Sequence, residues 1–172
     1  MRIFQKKDGG IVQLIDKGKM EEWPVELPLI FIEYVKNNQL KSYDDNKLKK
    51  EVESYLDEVL KEVAIPRLIE VLEREKEDEI LDALTRLEEL SKKNIDQMEP
   101  IKPYLKKLTS LKNEDVQNLL TKISERFRSE EKRKELEAKR KLMQQKEKEF
   151  LAGKISGEEY ATIRKEYLLL RG

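Results

Sequence analysis

Two stretches in the middle of the chain carry the same pattern of apolar residues, about 36 residues apart, which is a spacing typical of helical repeats. Each stretch contains a proline near its start, a first apolar run, a polar turn and a second apolar run. The apolar positions that coincide are Ile65 with Ile101, Ile69 with Leu105, Leu72 with Leu108, Ile80 with Val116, Ala83 with Leu119, Leu84 with Leu120, and Leu87 with Ile123. The pattern therefore predicts one helix-turn-helix unit that is used twice.

This unit resembles a HEAT-type repeat, which has a proline-containing first helix, an acidic turn and an apolar second helix. The resemblance covers residues 65–127. It implies a short α-solenoid, in which each helix pair buries its apolar stripe against the next pair. It also implies a protein-binding scaffold that needs no cofactor.

Polar residues around the repeats mark where helices should begin. Asp44 or Asp45 can cap a helix whose apolar face runs through residues 48–63. Pro66 is tolerated in a first turn and should start the next helix. The candidate N-caps of the second helices of the two repeats are Asp78 and Asn113.

The composition favours long, solvated helices over a thick globular core. Charged residues make up 42 % of the chain and aromatic residues only 6 %. An elongated shape, or a partner that covers an apolar face, would account for so little apolar material. The formal net charge is zero, so no overall field attracts nucleic acid or anionic lipid.

The residue types that carry most enzyme chemistry are missing. The chain has no cysteine and no histidine, which excludes disulfides, Cys/His zinc sites, cysteine nucleophiles and a histidine base. Gly9-Gly10 lacks the following Lys-Ser/Thr that a phosphate-binding loop requires. We therefore expect no enzymatic activity, no catalytic or metal-binding residues and no cofactor.

The sequence also favours a cytoplasmic protein without a membrane segment. Residues 1–8 lack the apolar core of a signal peptide. The longest apolar stretch, residues 25–35, is interrupted by Glu26, Pro28 and Glu33. Such a stretch is too short and too polar to span a bilayer.

Residues 1–45 differ from the helical remainder. Asp8-Gly9 lies between two β-prone runs and predicts a hairpin whose two turn residues both take positive φ. An isolated hairpin is marginally stable, so it must pack on the helices or join a partner's sheet. In the following aromatic segment, residues 20–35, two prolines predict an extended entry, and residues 29–35 then form either a short helix started by Pro28 or a strand.

That aromatic segment has two possible roles. It can act as a cap over the open end of the repeats. Alternatively, it is an exposed apolar anchor for a partner, with Trp23 and Phe31 as residues of the types that dominate binding energy at interfaces.

Residues 129–148 are almost entirely charged or polar, and their helix propensity is high. Two basic triplets lie seven residues apart and therefore recur on one side of a helix, where they can follow a phosphate backbone. Interleaved glutamates favour intrahelical ion pairs instead. The candidate nucleic-acid-binding residues on the basic helix, 126–148, are Arg133, Lys134, Lys139, Arg140 and Lys141.

The C-terminal residues predict a turn between two helices. Gly153 suits a helix C-cap and Ser156 an N-cap, with Glu159 at the capping-box position. The run from Gly153 to Tyr160 resembles the turn of SHOCT-type helical hairpins, which implies oligomerisation or protein contact. The candidate partner-binding residues of this hairpin are Tyr160, Tyr167 and Leu168.

Together these patterns predict an all-α protein with three parts. Residues 1–45 form the hairpin and aromatic cap, 46–128 the short HEAT-like solenoid, and 129–172 a long helix that ends in a helical hairpin. The predicted function is a non-enzymatic scaffold, adaptor or assembly subunit whose partner is another protein or a second copy of the chain. The alternative is a nucleic-acid- or ribosome-associated factor that uses the basic helix.

Overall fold

The computed structural model describes residues 1–74 and 76–171. Helical segments account for 78 % of the residues, and two short strands form an antiparallel sheet at the N-terminus. The all-α prediction and the hairpin are confirmed at this level, whereas the solenoid stays a prediction. The chain divides into two compact units, Met1–Leu120 and Thr121–Gly172.

The regular elements within the described residues follow one another with short connections. They are β1 (Arg2–Gln5), β2 (Ile11–Leu14), α1 (Leu27–Tyr34), α2 (Asn46–Val59), α3 (Ile65–Leu72), α4 (Glu77–Asn94), α5 (Lys102–Leu108), α6 (Glu114–Leu151) and α7 (Gly157–Arg171). Short 3₁₀ segments precede α1 and α5, and single π-turns follow α1 and α2.

The turn of the N-terminal hairpin differs from the predicted one. In this turn only Gly9 has a positive φ, of 83°, and no non-glycine residue among those described has one. Lys6 pairs with Gly10 across a three-residue loop, and the Asp8 carboxylate accepts a hydrogen bond from Gly10 N at 3.0 Å. This is the longer hairpin loop in which a single left-handed residue suffices, so the prediction of positive φ at Asp8 is wrong.

The hairpin packs on α2, as its marginal intrinsic stability requires. Phe4 and Leu14 are buried on one face, while Ile3 and Ile11 are exposed on the other. The Phe4 ring lies 5.7 Å from the ring of Tyr55. The Tyr55 hydroxyl donates a hydrogen bond to the carbonyl of Ile15 just beyond β2.

Helices α2 and α3 form one continuous helical run, although the sequence predicts two helices. Asp45 caps α2 by accepting hydrogen bonds from Lys47 N and Leu48 N. A π-turn over Leu60–Ala64 then joins α2 to α3, and its last bond runs from Ile65 N to Leu60 O. The wider turn ends at Ala64, two residues before Pro66, whose ring would clash with a carbonyl in a regular helix interior.

The predicted caps of α4 and α6 have opposite outcomes. Helix α4 begins at Glu77, one residue before the predicted cap Asp78, and its N-cap residue Lys76 makes no side-chain cap bond. Instead, the negative charges of three acidic residues in its first turn stabilise the helix by interacting with the positive end of its dipole. Asn113 caps α6 as predicted, because its side-chain oxygen accepts a hydrogen bond from Val116 N at 3.2 Å.

The core of the first unit follows the apolar positions of the repeat. Four matched pairs within this unit are buried in both members: Ile65 with Ile101, Leu72 with Leu108, Ile80 with Val116, and Leu84 with Leu120. Helices α3 and α4 contact each other, and the 3₁₀ segment Ile95–Ile101 contacts both.

The second unit contains a helical hairpin made from the last part of α6 and from α7. A left-handed Gly153 (φ 69°) ends α6, with Gly153 N bonded to Phe150 O and Lys154 N to Glu149 O, both at 2.9 Å. This is a Schellman motif. Ser156 then caps α7 by accepting a hydrogen bond from Glu159 N at 3.1 Å. Both predicted caps are confirmed.

Candidate protein-interaction surfaces

Helix α1 resolves the helix-or-strand alternative of the aromatic segment and leaves one apolar face uncovered. Its buried face is formed by Leu29 and Ile32. Because the helix is apolar almost all round, burying one face leaves apolar residues on the other. The exposed or half-buried apolar residues, called the α1 patch below, are Trp23, Leu27, Ile30, Phe31 and Tyr34.

The α1 patch is a continuous surface. Trp23 packs its ring edge-on against Phe31, with the ring centroids 6.0 Å apart, and both side chains are half-buried. Ile30 is 53 % exposed and Tyr34 is 55 % exposed. Positions three and four apart share a helix face, so Ile30 and Tyr34 extend the aromatic pair along α1.

Carboxylates flank this patch. Glu22 precedes Trp23, and Glu33 precedes Tyr34; both are exposed. Within residues 1–74 and 76–171, neither carboxylate has a cation at ion-pair distance. Glu26 lies 3.8 Å from Arg86. The α1 patch therefore combines aromatic and aliphatic surface with uncompensated negative charge.

The second surface lies on α7, whose side facing α6 is held by aromatic and ionic contacts. Tyr160 stacks on Phe150 with the ring centroids 5.3 Å apart. Glu166 lies 2.6 Å from Lys139 of α6, and Glu159 lies 3.7 Å from Lys146. Those α7 carboxylates are thus compensated within the hairpin.

The remaining side of α7 is open to solvent. Leu168 is 49 % exposed and Leu169 is 75 % exposed, and no described residue of α7 is buried. An open, shallow groove runs along this side. The residues that line it, called the α7 face below, are Tyr160, Ala161, Arg164, Lys165, Leu168 and Leu169.

The predicted partner-binding residues therefore occupy different environments. Leu168 lies on the α7 face and is exposed, whereas Tyr160 is half-buried against Phe150 and borders the same groove. Tyr167 is half-buried and lies on the same side of α7 as Tyr160, seven residues away. Sequence reasoning missed Ile30 and Arg164, which belong to these surfaces; helical spacing is the signal that places them there.

The five candidate nucleic-acid-binding cations lie along α6 among carboxylates. Arg133 pairs with Glu130 at 2.5 Å and with Glu137 at 3.5 Å, while Lys141 lies 2.9 Å from Glu137. The hydrogen bond from Lys141 lowers the pKa of Glu137 below its usual value, with Arg133 adding to the effect. These pairs reduce the positive potential available to a phosphate backbone.

Two of the other candidates are also engaged. Lys139 is the partner of Glu166 on α7, and Lys134 likewise interacts with other described residues. Arg140 is exposed, and its charge also helps to lower the pKa of Glu137. The basic helix is therefore a mixed-charge surface rather than a cationic stripe.

The described part of the chain contains no cluster of three or more acidic side chains placed to hold a metal ion. None of the helices in residues 1–74 and 76–171 has both the length and the apolar character that crossing a bilayer requires. Comparison of the chain with protein-family models, with curated proteins and with solved structures gives no match.

Proposed function

We propose that this protein is a non-enzymatic scaffold or assembly subunit that binds another protein through the α7 face and the α1 patch. The observation that carries the proposal is the exposure of Leu168 and Leu169 on a helix with no buried residue among those described. Helix α7 is held to α6 by a narrow seam of half-buried residues and ion pairs. A partner that covers its outer side would supply the missing burial.

The energetic gain from such a partner is appreciable. Fully burying a leucine side chain stabilises by about 1.5–3 kcal/mol. Weighted by their present exposure, Leu168 and Leu169 together could contribute roughly 2–4 kcal/mol to binding. Because the backbone of these leucines is already helical, the ordering cost is that of their side chains, roughly 0.5–1 kcal/mol each. The net gain from burying Leu168 and Leu169 supports the interpretation that α7 is a docking helix rather than a solvated helix end.

A nucleic-acid-binding role is the competing proposal, and salt separates the two. Binding that depends on phosphate contacts weakens steeply as salt concentration rises. An interface based on Leu168 and Leu169 depends on apolar burial, so its affinity should depend far less on salt concentration. Arg140→Glu should weaken nucleic-acid binding and reduce its salt dependence, and it should leave the apolar interface unchanged.

The direct test is photo-crosslinking from defined positions of the full chain in cells that express it. A photoreactive amino acid at position 168 should yield protein adducts, and one at position 53 should yield none. Glu53 is a matched control because it is an exposed residue of α2 outside both surfaces. A third probe at position 140 reports on the basic helix.

The outcomes are distinct. Protein adducts at position 168 and none at 53 support the scaffold proposal. Adducts with nucleic acid at position 140, with no protein at 168, support the alternative. Equal labelling at 168 and 53, or none at either position, contradicts the scaffold proposal.

A further inference from the structure

We infer that the α7 face of one copy of this chain docks on the α1 patch of a second copy. The inference rests on the proposed function, because it names the partner of the same two surfaces. Four arguments support it: the α7 face carries cations, the α1 patch carries carboxylates, two α7 faces would repel each other, and the apolar strips of the α7 face and the α1 patch have similar lengths.

The α7 face presents leucine and uncompensated positive charge. Arg164 and Lys165 lie between Ala161 and Leu168 along the groove, and both are exposed. In the part of the chain that the structure describes, neither cation has a carboxylate at ion-pair distance. Of the three carboxylates of α7, Glu159 and Glu166 are engaged by lysines of α6, and Glu158 lies in the first turn, six residues before Arg164.

The α1 patch presents the complementary chemistry. Its exposed Ile30 and Tyr34 offer an apolar strip, and its flanks carry the unpaired carboxylates of Glu22 and Glu33. Docking the α7 face here would bring cations to carboxylates at the rim and leucines to aromatic rings at the centre. That arrangement of apolar core and polar rim is typical of protein interfaces.

The most obvious alternative, two α7 faces packed on each other, is disfavoured by charge. In a two-fold antiparallel pair centred between Arg164 and Lys165, each of these cations faces a cation of the other copy. Moving the centre towards Leu168 brings Arg171 opposite Arg164 or Lys165, which replaces one repulsion with another. Moving it towards Ala161 brings Glu158 opposite these cations, but Leu168 and Leu169 then extend past the start of the other copy's α7 and stay uncovered. Like charges opposed across an interface oppose association.

The two apolar strips have similar lengths. Along a helix the distance from Ala161 to Leu169 is about 12 Å, and that from Leu27 to Tyr34 is about 10 Å. Each strip is about two helical turns long, which suits side-by-side packing of two helices. Because the two surfaces differ, the contact is heterologous. Two copies that exchange it reciprocally close as a dimer, and otherwise copies add one after another.

The test uses paired charge reversals on the full-length chain. One variant carries Arg164→Glu and Lys165→Glu, and the other carries Glu22→Lys and Glu33→Lys. All four side chains are exposed, so circular dichroism and the thermal midpoint should match wild type. Molar mass is measured by light scattering and sedimentation from micromolar to near-millimolar concentration, for each variant alone and for their equimolar mixture.

Wild type should associate, and each variant alone should associate at least about tenfold more weakly, because its two surfaces then carry the same sign of charge. The equimolar mixture should recover association, since the acidic α7 face of one variant matches the basic α1 patch of the other. The wild-type α7 face of the second variant likewise matches the wild-type patch of the first. The chain that carries all four reversals should also associate.

Wild type that stays monomeric throughout, variants that associate as well as wild type, or a mixture that stays monomeric would each overturn the inference. Its failure is distinguishable from failure of the proposed function. If the wild-type chain is monomeric but still gives protein adducts at position 168, only the self-docking inference is wrong. If it gives no protein adduct at that position, both the inference and the proposed function are wrong.

Discussion

Removing the hydroxyl group of Tyr55 should loosen the N-terminal hairpin from α2 without changing the packing of the ring. Tyr55 is 2 % exposed, and its hydroxyl donates to the carbonyl of Ile15. In Tyr55→Phe the ring still packs against Phe4, so no cavity forms beyond the volume of one oxygen. The substitution therefore isolates one hydrogen bond between the hairpin and the helices.

The magnitude follows from that bond and from the acceptor that it leaves behind. A typical intramolecular hydrogen bond contributes about 0.5–1.5 kcal/mol net, and an unsatisfied buried acceptor costs more. Ile15 is half-buried, so water reaches its carbonyl in part. We expect Tyr55→Phe to lower the free energy of unfolding by about 1–2 kcal/mol.

Urea unfolding followed by the fluorescence of Trp23, the single tryptophan, measures this change within the first unit. Tyr34→Phe is the matched control, because Tyr34 is 55 % exposed and contributes no hydrogen bond to the hairpin contact. The control should change the free energy of unfolding by less than about 0.5 kcal/mol, as surface substitutions usually do. Equal effects of the two substitutions would refute the reasoning.

Alkaline pH provides an independent check. Burial raises the pKa of Tyr55 above its ordinary value of 10.0, and the negative charge of Asp16 adds to the rise. The folded chain then keeps a proton that the unfolded chain releases, so stability present below about pH 10 declines as pH rises through the folded pKa. The stability advantage of wild type over Tyr55→Phe should stay constant up to about pH 9 and shrink above about pH 10. Burial also raises the pKa of Tyr43, but that contribution cancels because both proteins contain it.

Two further comparisons test the folding of each unit. Gly153→Ala should destabilise the C-terminal hairpin by about 1 kcal/mol, because φ is 69° there, whereas Gly157→Ala should be neutral or slightly stabilising by thermal unfolding. Equal midpoints for the two alanine variants would contradict the assigned turn. Leu84→Ala should lower the free energy of unfolding by about 2–5 kcal/mol because Leu84 is fully buried, while Leu169→Ala should leave the urea midpoint of the monomer unchanged. If Leu169→Ala destabilised the monomer as much as Leu84→Ala, the α7 face could not be exposed.

Local chemistry was enough to predict where several elements begin and end. Asp45, Asn113 and Ser156 cap helices as predicted, because a cap depends on one side chain and the next two or three backbone amides. Gly153 ends α6 because the left-handed position of a Schellman motif favours glycine. Apolar periodicity likewise marked the buried positions of the repeat, since burial on a helix recurs at spacings of three and four.

The tertiary structure decided what depends on neighbours distant in sequence. The loop around Asp8 uses a longer turn than the dipeptide suggests, and Pro66 is accommodated by a π-turn inside a continuous helical run. Helix α1 is apolar almost all round, so only packing could select Leu29 for burial and leave Ile30 exposed. The same holds for α7, where pairing of Glu166 with Lys139 leaves Leu168 and its neighbouring cations on the open side. A sequence determines which residues can form a helix, but the surface that remains uncovered depends on what the rest of the chain packs against it.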